Sequence, residues 1–225
     1  MGDHRNLWSC HRAEGKNIVI IAVDGPAASG KGTIARALAA HFLLPHLDTG
    51  LLYRAVGISV LRHGGDPDHE IDALRACDFS DAMLDDPAIR SEAASRAASV
   101  VSAHPAVRTA LLERQRAFAR QPGGAVLDGR DIGTVIAPEA DAKLYVTATA
   151  EIRARRRYDE LVRDGARITF DHVLADIHSR DTRDSERATA PLTRALDADL
   201  LDTSDVAITD SVRQAIDLVE ARVKP

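Results

Sequence analysis

Residues 18–37, IVIIAVDGPAASGKGTIARA, constrain what this chain can fold into more than any other stretch. Ile18 to Val23 is an apolar run rich in branched residues, the kind a strand covered on both faces can bury. It ends at Asp24. Gly25 to Lys31 then keep the spacing of a phosphate-binding loop, and Thr33 onward is good helix material. A polyphosphate carries several charges that must be held without water. Glycines let successive N–H groups turn inward, and the helix that starts there adds its positive end. Gly25, Pro26, Ala27, Ala28, Ser29, Gly30, Lys31, Gly32 and Thr33 are therefore the candidate cradle. Lys31 supplies a mobile charge for the outer phosphates, and the Thr33 hydroxyl sits near a metal or a phosphate. A ligand-free Gly-rich turn is the competing reading. The strand before, the helix after and the lysine in place weigh against it.

The rest of the chain reads as alternating elements. The first helix is expected to reach Phe42, with Ile34, Leu38 and Phe42 on one stripe. Residues 43–47 form a short strand that turns through Asp48-Thr49-Gly50 into a helix over 51–58. Arg54 stands one turn into that otherwise apolar helix, and Gly64-Gly65-Asp66-Pro67 breaks it. Residues 66–90 are acidic and weakly patterned, with a short helix around 71–76 and a loop through Asp85-Asp86-Pro87. A helix over 91–101 follows, then one over 106–120 opened by Pro105. Val107, Leu111, Leu112 and Phe118 give the apolar face, and Ser99, Arg108 and Arg114 are the polar candidates. Ala125 to Asp128 is a buried strand that again ends in an acid and runs into GRDIGT. An aspartate there, beside a phosphate-loop strand, suits Mg²⁺ or its water shell. Residues 142–147 and 198–203 are the last strands. Thr209 or Asp210 caps a final helix with Val212, Ala215, Ile216, Val219 and Val223 on one face. This order argues for a parallel sheet with helices on both faces.

Arginines cluster twice. Arg153, Arg155, Arg156 and Arg157 open one helix; Arg180, Arg183 and Arg187 stand in the next, across a turn containing Gly165 and 168–170. Arg155 reads as a solvated helix face, and Arg180 with Asp184 fits an i,i+4 pair. Two such clusters flanking a hairpin, in a chain that holds a polyphosphate, point to charge spread over phosphoryl oxygens.

Bulk properties exclude several classes. A length of 225 residues fits one domain with small insertions. Aromatic residues at 4% speak against base stacking on rings, and a net charge of −5 speaks against a nucleic-acid polymer as partner. Cys10 and Cys77 have no metal-site spacing and suggest no disulfide framework. No run approaches the ~18–20 apolar residues that span a bilayer, and the N-terminus lacks a secretory apolar core. A cytoplasmic setting, with no membrane partner, fits. Residues 1–16 read as a disordered leader, Trp8 included.

Four stretches together resemble bacterial cytidylate kinases: GPAASGKGT over 25–33, LDTGLLYR over 47–54, DGRDIGT over 128–134, and Arg180-Asp181-Thr182-Arg183-Asp184 through Arg187. The Gly-Lys-Gly-Thr ending resembles that of the nucleoside monophosphate kinases rather than that of GTPases or motor ATPases. The second and third stretches carry the specificity; the phosphate loop alone would not. The likeness spans roughly residues 17–224. It implies an α/β fold: a three-layer P-loop kinase core with a central parallel sheet, a helical lid and a nucleoside monophosphate (NMP)-binding region. The expected division is a core of 17–64, 106–152 and 190–225, an NMP-binding region at about 65–105 and a lid at about 153–189. Residues 78–92 are shorter than the β-rich insertion usual in this family, so the NMP-binding insertion is shortened.

The resemblance also implies the chemistry. The γ-phosphoryl group of ATP would pass to CMP or dCMP, with Mg²⁺ held by Thr33 and, through water, Asp128. Residues 25–33 would bind ATP. CMP would be bound by Thr49, Arg54, Ser99, Arg108, Arg130, Asp131, Arg180, Asp184 and Arg187, with Asp131 accepting from the cytosine amino group. Lys31, Arg153, Arg157 and Arg183 would be catalytic, the arginines arriving on lid closure. The chain would work as a monomer. A uridylate or adenylate kinase, and a nucleotide-sensing module that transfers nothing, are the competing readings.

Overall fold

The computed structural model describes residues 18–223; the expectations for residues 1–16, with Trp8 and Cys10, fall outside them. The elements run β1 (Ile18–Asp24), α1 (Lys31–Phe42), β2 (His46–Asp48), α2 (Thr49–Arg62), α3 (Glu70–Arg75), α4 (Glu92–Val101) and α5 (Pro105–Ala119). They continue as β3 (Gly123–Gly129), β4 (Ala142–Thr147), α6 (Ala150–Arg163), α7 (Phe170–Glu186), β5 (Asp199–Asp202) and α8 (Ile208–Arg222). They belong to two compact units.

The sheet unit comprises described residues 18–47, 116–149 and 194–223. Its strands are ordered β2-β3-β1-β4-β5. β1 pairs with β3 from Ile18–Gly123 to Asp24–Gly129, and with β4 from Ile21–Ala142 to Asp24–Tyr145; β4 pairs with β5; all three pairings are parallel. β1 is therefore central, and its branched side chains are buried between layers as the apolar run requires. Ile34, Leu38 and Phe42 of α1 and Ala215 and Val219 of α8 join Ile21, Val23, Val126, Leu144 and Val146 in one core. The expected stripe of α1 is buried, and that of α8 faces the same core, with Ala215 and Val219 buried and Val212, Ile216 and Val223 packed partly buried against it. The parallel register brings Asp24 and Asp128 to the same carboxyl edge of the sheet, where parallel α/β folds place ligands.

The helical unit comprises residues 48–115 and 150–193. Asp48 caps α2 by accepting from the Gly50 amide at 2.9 Å. α2 packs on α4 closely: a Cβ at Gly57 would stand 2.7 Å from the Ala97 Cβ and 2.9 Å from the Ala98 amide nitrogen. The expected α6–α7 hairpin is present, with Tyr158 edge-on to Phe170 and Arg155 stacked 4.5 Å from the Phe170 ring centre. Arg155 is exposed, as expected, yet its guanidinium covers aromatic surface.

Two expectations are corrected, and one segment left unassigned is resolved. Residues 81–90 are not plain loop: Asp81–Asp85 and Pro87–Arg90 are short 3-10 turns, the second capped by Asp86. The segment after β3 is a π turn, Ile132–Ile136. The final helix starts earlier than Thr209, with Ala207 at the cap position and no side chain capping it. Among the described residues no helix is long and apolar enough to cross a membrane.

Candidate active site

The phosphate loop joins β1 to α1 in the sheet unit. Gly25 has φ 152°, and a Cβ there would lie 2.0 Å from the Val146 carbonyl oxygen, so only glycine fits. Gly30 takes a left-handed conformation at the start of α1, and no side chain caps that helix. Its first-turn amides point where an anion can take them. The Lys31 ammonium donates to the Pro26 carbonyl at 3.2 Å, curled over its own loop. Ser29 is buried, its carbonyl accepting from the Thr203 hydroxyl at 3.0 Å, which ties the loop to the end of β5. Arg36 of α1 reaches back to the Thr33 hydroxyl at 3.3 Å.

Asp128 ends β3 as a buried carboxylate. One oxygen lies 2.7 Å from the His46 ring nitrogen, and the other is 3.8 Å from where a Cβ would stand at Gly32. The parallel pairing of β3 with β1 therefore places this acid beside the start of α1. Asp24 has a different task. It accepts from the Ile132 and Gly133 amides, both at 2.8 Å, and so bolts the end of β1 to the turn that follows Arg130 and Asp131. Burial lifts its pKa from 3.8 to about 6; the two amides oppose the rise and the Asp131 charge adds to it. Asp131 is itself buried, and Arg130 is half-buried beside it.

The other candidates gather in the helical unit. Thr49 is buried in the first turn of α2. Arg54, one turn further, is half-buried and its guanidinium lies 3.4 Å from the Ile89 carbonyl. Burial pulls its pKa below the ordinary value; Asp48 offsets part of this and the Arg157 charge adds to the fall. Arg108 is buried with its guanidinium over the Tyr53 ring. Arg153 makes a two-pronged ion pair with Asp181, at 2.9 and 2.5 Å. Arg157 pairs with Glu160 at 2.7 Å and with Glu92. Burial works against its charge, but the two carboxylates outweigh that and hold its pKa above the ordinary value. Arg180 donates to Ser95 at 3.0 Å and to Glu92 at 3.2 Å, and Arg183 donates to the Ser99 hydroxyl. Asp184 and Arg187 are buried at the end of α7, where the Arg187 guanidinium donates to the Ala190 carbonyl at 2.7 Å.

Each unit thus assembles its own share: the phosphate loop, Asp128, Arg130 and Asp131 in one, the remaining candidates in the other. Sequence reasoning passed over Asp24, His46, Glu92 and Asp181. Glu92 carried a readable signal, since it precedes Ser95 by three and Ser99 by seven and so shares their helix face. The pairing of Asp181 with Arg153, 28 residues away, carried none.

The geometry is that of a phosphate-loop enzyme with a dense arginine set, and comparison with known proteins agrees. A family model described as cytidylate kinase matches residues 21–221. The chain is 57% identical over 206 residues to a cytidylate kinase of Xanthobacter autotrophicus, covering 91% of this chain and 98% of that protein. It is 54% identical over 209 residues to a cytidylate kinase of Caulobacter sp. strain K31, covering 90% and 96%. A crystal structure of an uncharacterized protein from Eubacterium ventriosum aligns with a TM-score of 0.53 at 14% identity, over 91% of this chain and 99% of that one, and shows the shared fold alone. With its phosphate loop, its arginines and these relatives in view, the chain belongs to the cytidylate kinase family.

Proposed function

We propose that the chain is a nucleoside monophosphate kinase that transfers the γ-phosphoryl group of ATP to CMP and dCMP, giving CDP and dCDP. The observation that carries this reading is the family match across residues 21–221. ATP lies on residues 25–33, with Lys31 on the outer phosphates. Thr33 and Asp128 offer the hard oxygen donors that suit Mg²⁺, beside the start of α1. When bound, Mg²⁺ neutralises charge on the phosphoryl oxygens. Thr33 and Asp128 would hold Mg²⁺ together with the nucleotide's own phosphate oxygens.

On the acceptor side Thr49 and Arg54 of the helical unit, and Arg130 of the sheet unit, are each assigned to the CMP phosphate. Arg54 supports this reading, because a half-buried guanidinium whose charge is disfavoured by burial gains from a phosphate partner. Ser99, Arg108 and Asp131 face the base, and Arg180, Asp184 and Arg187 serve the ribose and phosphate. The attacking atom is a phosphate oxygen, largely ionised at neutral pH, so no general base is needed. Arg153, Arg157 and Arg183 face the developing charge. The substrates are free nucleotides, which suits a monomer working in the cytoplasm.

Base choice follows from desolvation. A buried carboxylate accepts from the 4-amino group of cytosine but meets a lone pair on the 4-oxo group of uracil. ADP release measured in parallel with CMP, dCMP, UMP and AMP tests the whole reading. Turnover with CMP and dCMP alone is expected. Tight ATP binding without turnover on any acceptor would favour a nucleotide-sensing module. Asp131→Ala should flatten the preference for C over U; an equal fall on both substrates would make Asp131 structural.

A further inference from the structure

One face of α4 gathers the arginines of two other helices. Glu92, Ser95 and Ser99 are spaced three and four residues apart, so they line one side of the helix. Glu92 accepts from Arg157 of α6 and, at 3.2 Å, from Arg180 of α7. Ser95 accepts from Arg180, and Ser99 from Arg183. Arg54 of α2 is within electrostatic reach of both Glu92 and Arg157. Three guanidinium groups therefore meet on a face whose own anion is Glu92, with the Arg54 charge nearby. The pairing is not a solvated surface bridge of little consequence, because the side chains of Glu92, Arg157 and Arg180 are only 25%, 20% and 18% exposed. Glu160 adds to the field at Arg54 but is 55% exposed, and its ion pair with Arg157 lies within α6, so it does not bridge the two helices as Glu92 does.

We propose that Glu92 is a positioning residue for phosphoryl transfer, an internal counter-anion that gathers Arg157 and Arg180 and yields them to nucleotide phosphate. The roles of these two arginines rest on the function proposed above. A carboxylate that neutralises guanidinium groups competes with any incoming anion for them. The apparent affinity for that anion is lowered by the fraction of protein in which the arginines are held. The same contact orders two long side chains that would otherwise splay, so chemistry gains from the carboxylate while binding loses.

These two effects oppose each other in sign, and a merely structural ion pair would not separate them. Glu92→Gln keeps the shape and removes the charge. In the full chain it should tighten CMP binding, titrated calorimetrically without ATP, by about threefold or more. In turnover it should lower KM for CMP while lowering kcat. Glu92→Asp restores the charge and should move both values back toward the parent. Pyrophosphate supplies a probe independent of CMP: in a Lys31→Ala background, which weakens the phosphate loop, its half-saturating concentration in thermal unfolding should also fall with Glu92→Gln. Unchanged or weaker anion binding in Glu92→Gln overturns the proposal. A parent chain that neither binds nor turns over CMP would defeat the proposed function instead, and the pyrophosphate comparison would still decide the role of Glu92.

Discussion

Asp24 shows how one residue couples the phosphate loop to the acceptor side. Its carboxylate holds the Ile132 and Gly133 amides and so fixes the turn after Arg130 and Asp131. Burial has raised its pKa from 3.8 to about 6. Folding therefore retains a proton that the unfolded chain gives up. The stability linked to that proton is complete below pH 3.8 and is lost as the pH rises through about 6. The loss amounts to at most about 3 kcal/mol. Asp24→Asn has nothing to titrate there. Its urea-unfolding stability relative to the parent should climb with pH across that window, whatever the constant offset from the altered hydrogen bonds. Parallel profiles would mean that Asp24 ionises at its ordinary value.

At the scale of elements, the contact between α2 and α4 ties packing to substrate. Gly57 has no room for a side chain against Ala97 and Ala98, so Gly57→Val must push α4 away from α2. The expected cost is about 1–3 kcal/mol of stability. Because α4 carries Glu92, Ser95 and Ser99, KM for CMP should rise while KM for ATP, set in the sheet unit, stays put. Equal changes in both would argue against independent placement. The same helix marks the boundary of what the sequence makes legible. β1, the phosphate loop and α1 could be read because their signals are local: an apolar run, glycine spacing, then a helical stripe. Asp128 could be read because it ends an apolar strand. The long-range partners of the arginines could not, since Arg157 and Glu92 lie 65 residues apart and no periodicity joins them. The π turn after Asp131 was hidden for a related reason, as Asp24, 108 residues away, holds its first amide. Ala207 at the start of α8 was missed because Thr209 and Asp210 offered the better capping side chains two and three residues later.

Across the whole molecule the proposed substrates divide unequally between the two units. Everything assigned to ATP in residues 25–33, with Asp128, belongs to the sheet unit. The residues assigned to CMP do not: Arg130 and Asp131 belong to the sheet unit, while Thr49, Arg54, Ser99, Arg108, Arg180, Asp184 and Arg187 belong to the helical one. A ligand that binds only the native form slows local opening wherever it makes contacts, by an amount set by its saturation. Amide hydrogen exchange can therefore read the division directly. ATP with Mg²⁺, and no acceptor, should slow exchange at 25–34 and leave 49–54 and 92–101 near their unliganded rates. CMP without ATP should slow exchange both around 129–133 and in 49–54, 92–101 and 180–187. Protection by CMP confined to the helical unit would remove Arg130 and Asp131 from the acceptor site, and with them the stated reason for choosing cytosine over uracil.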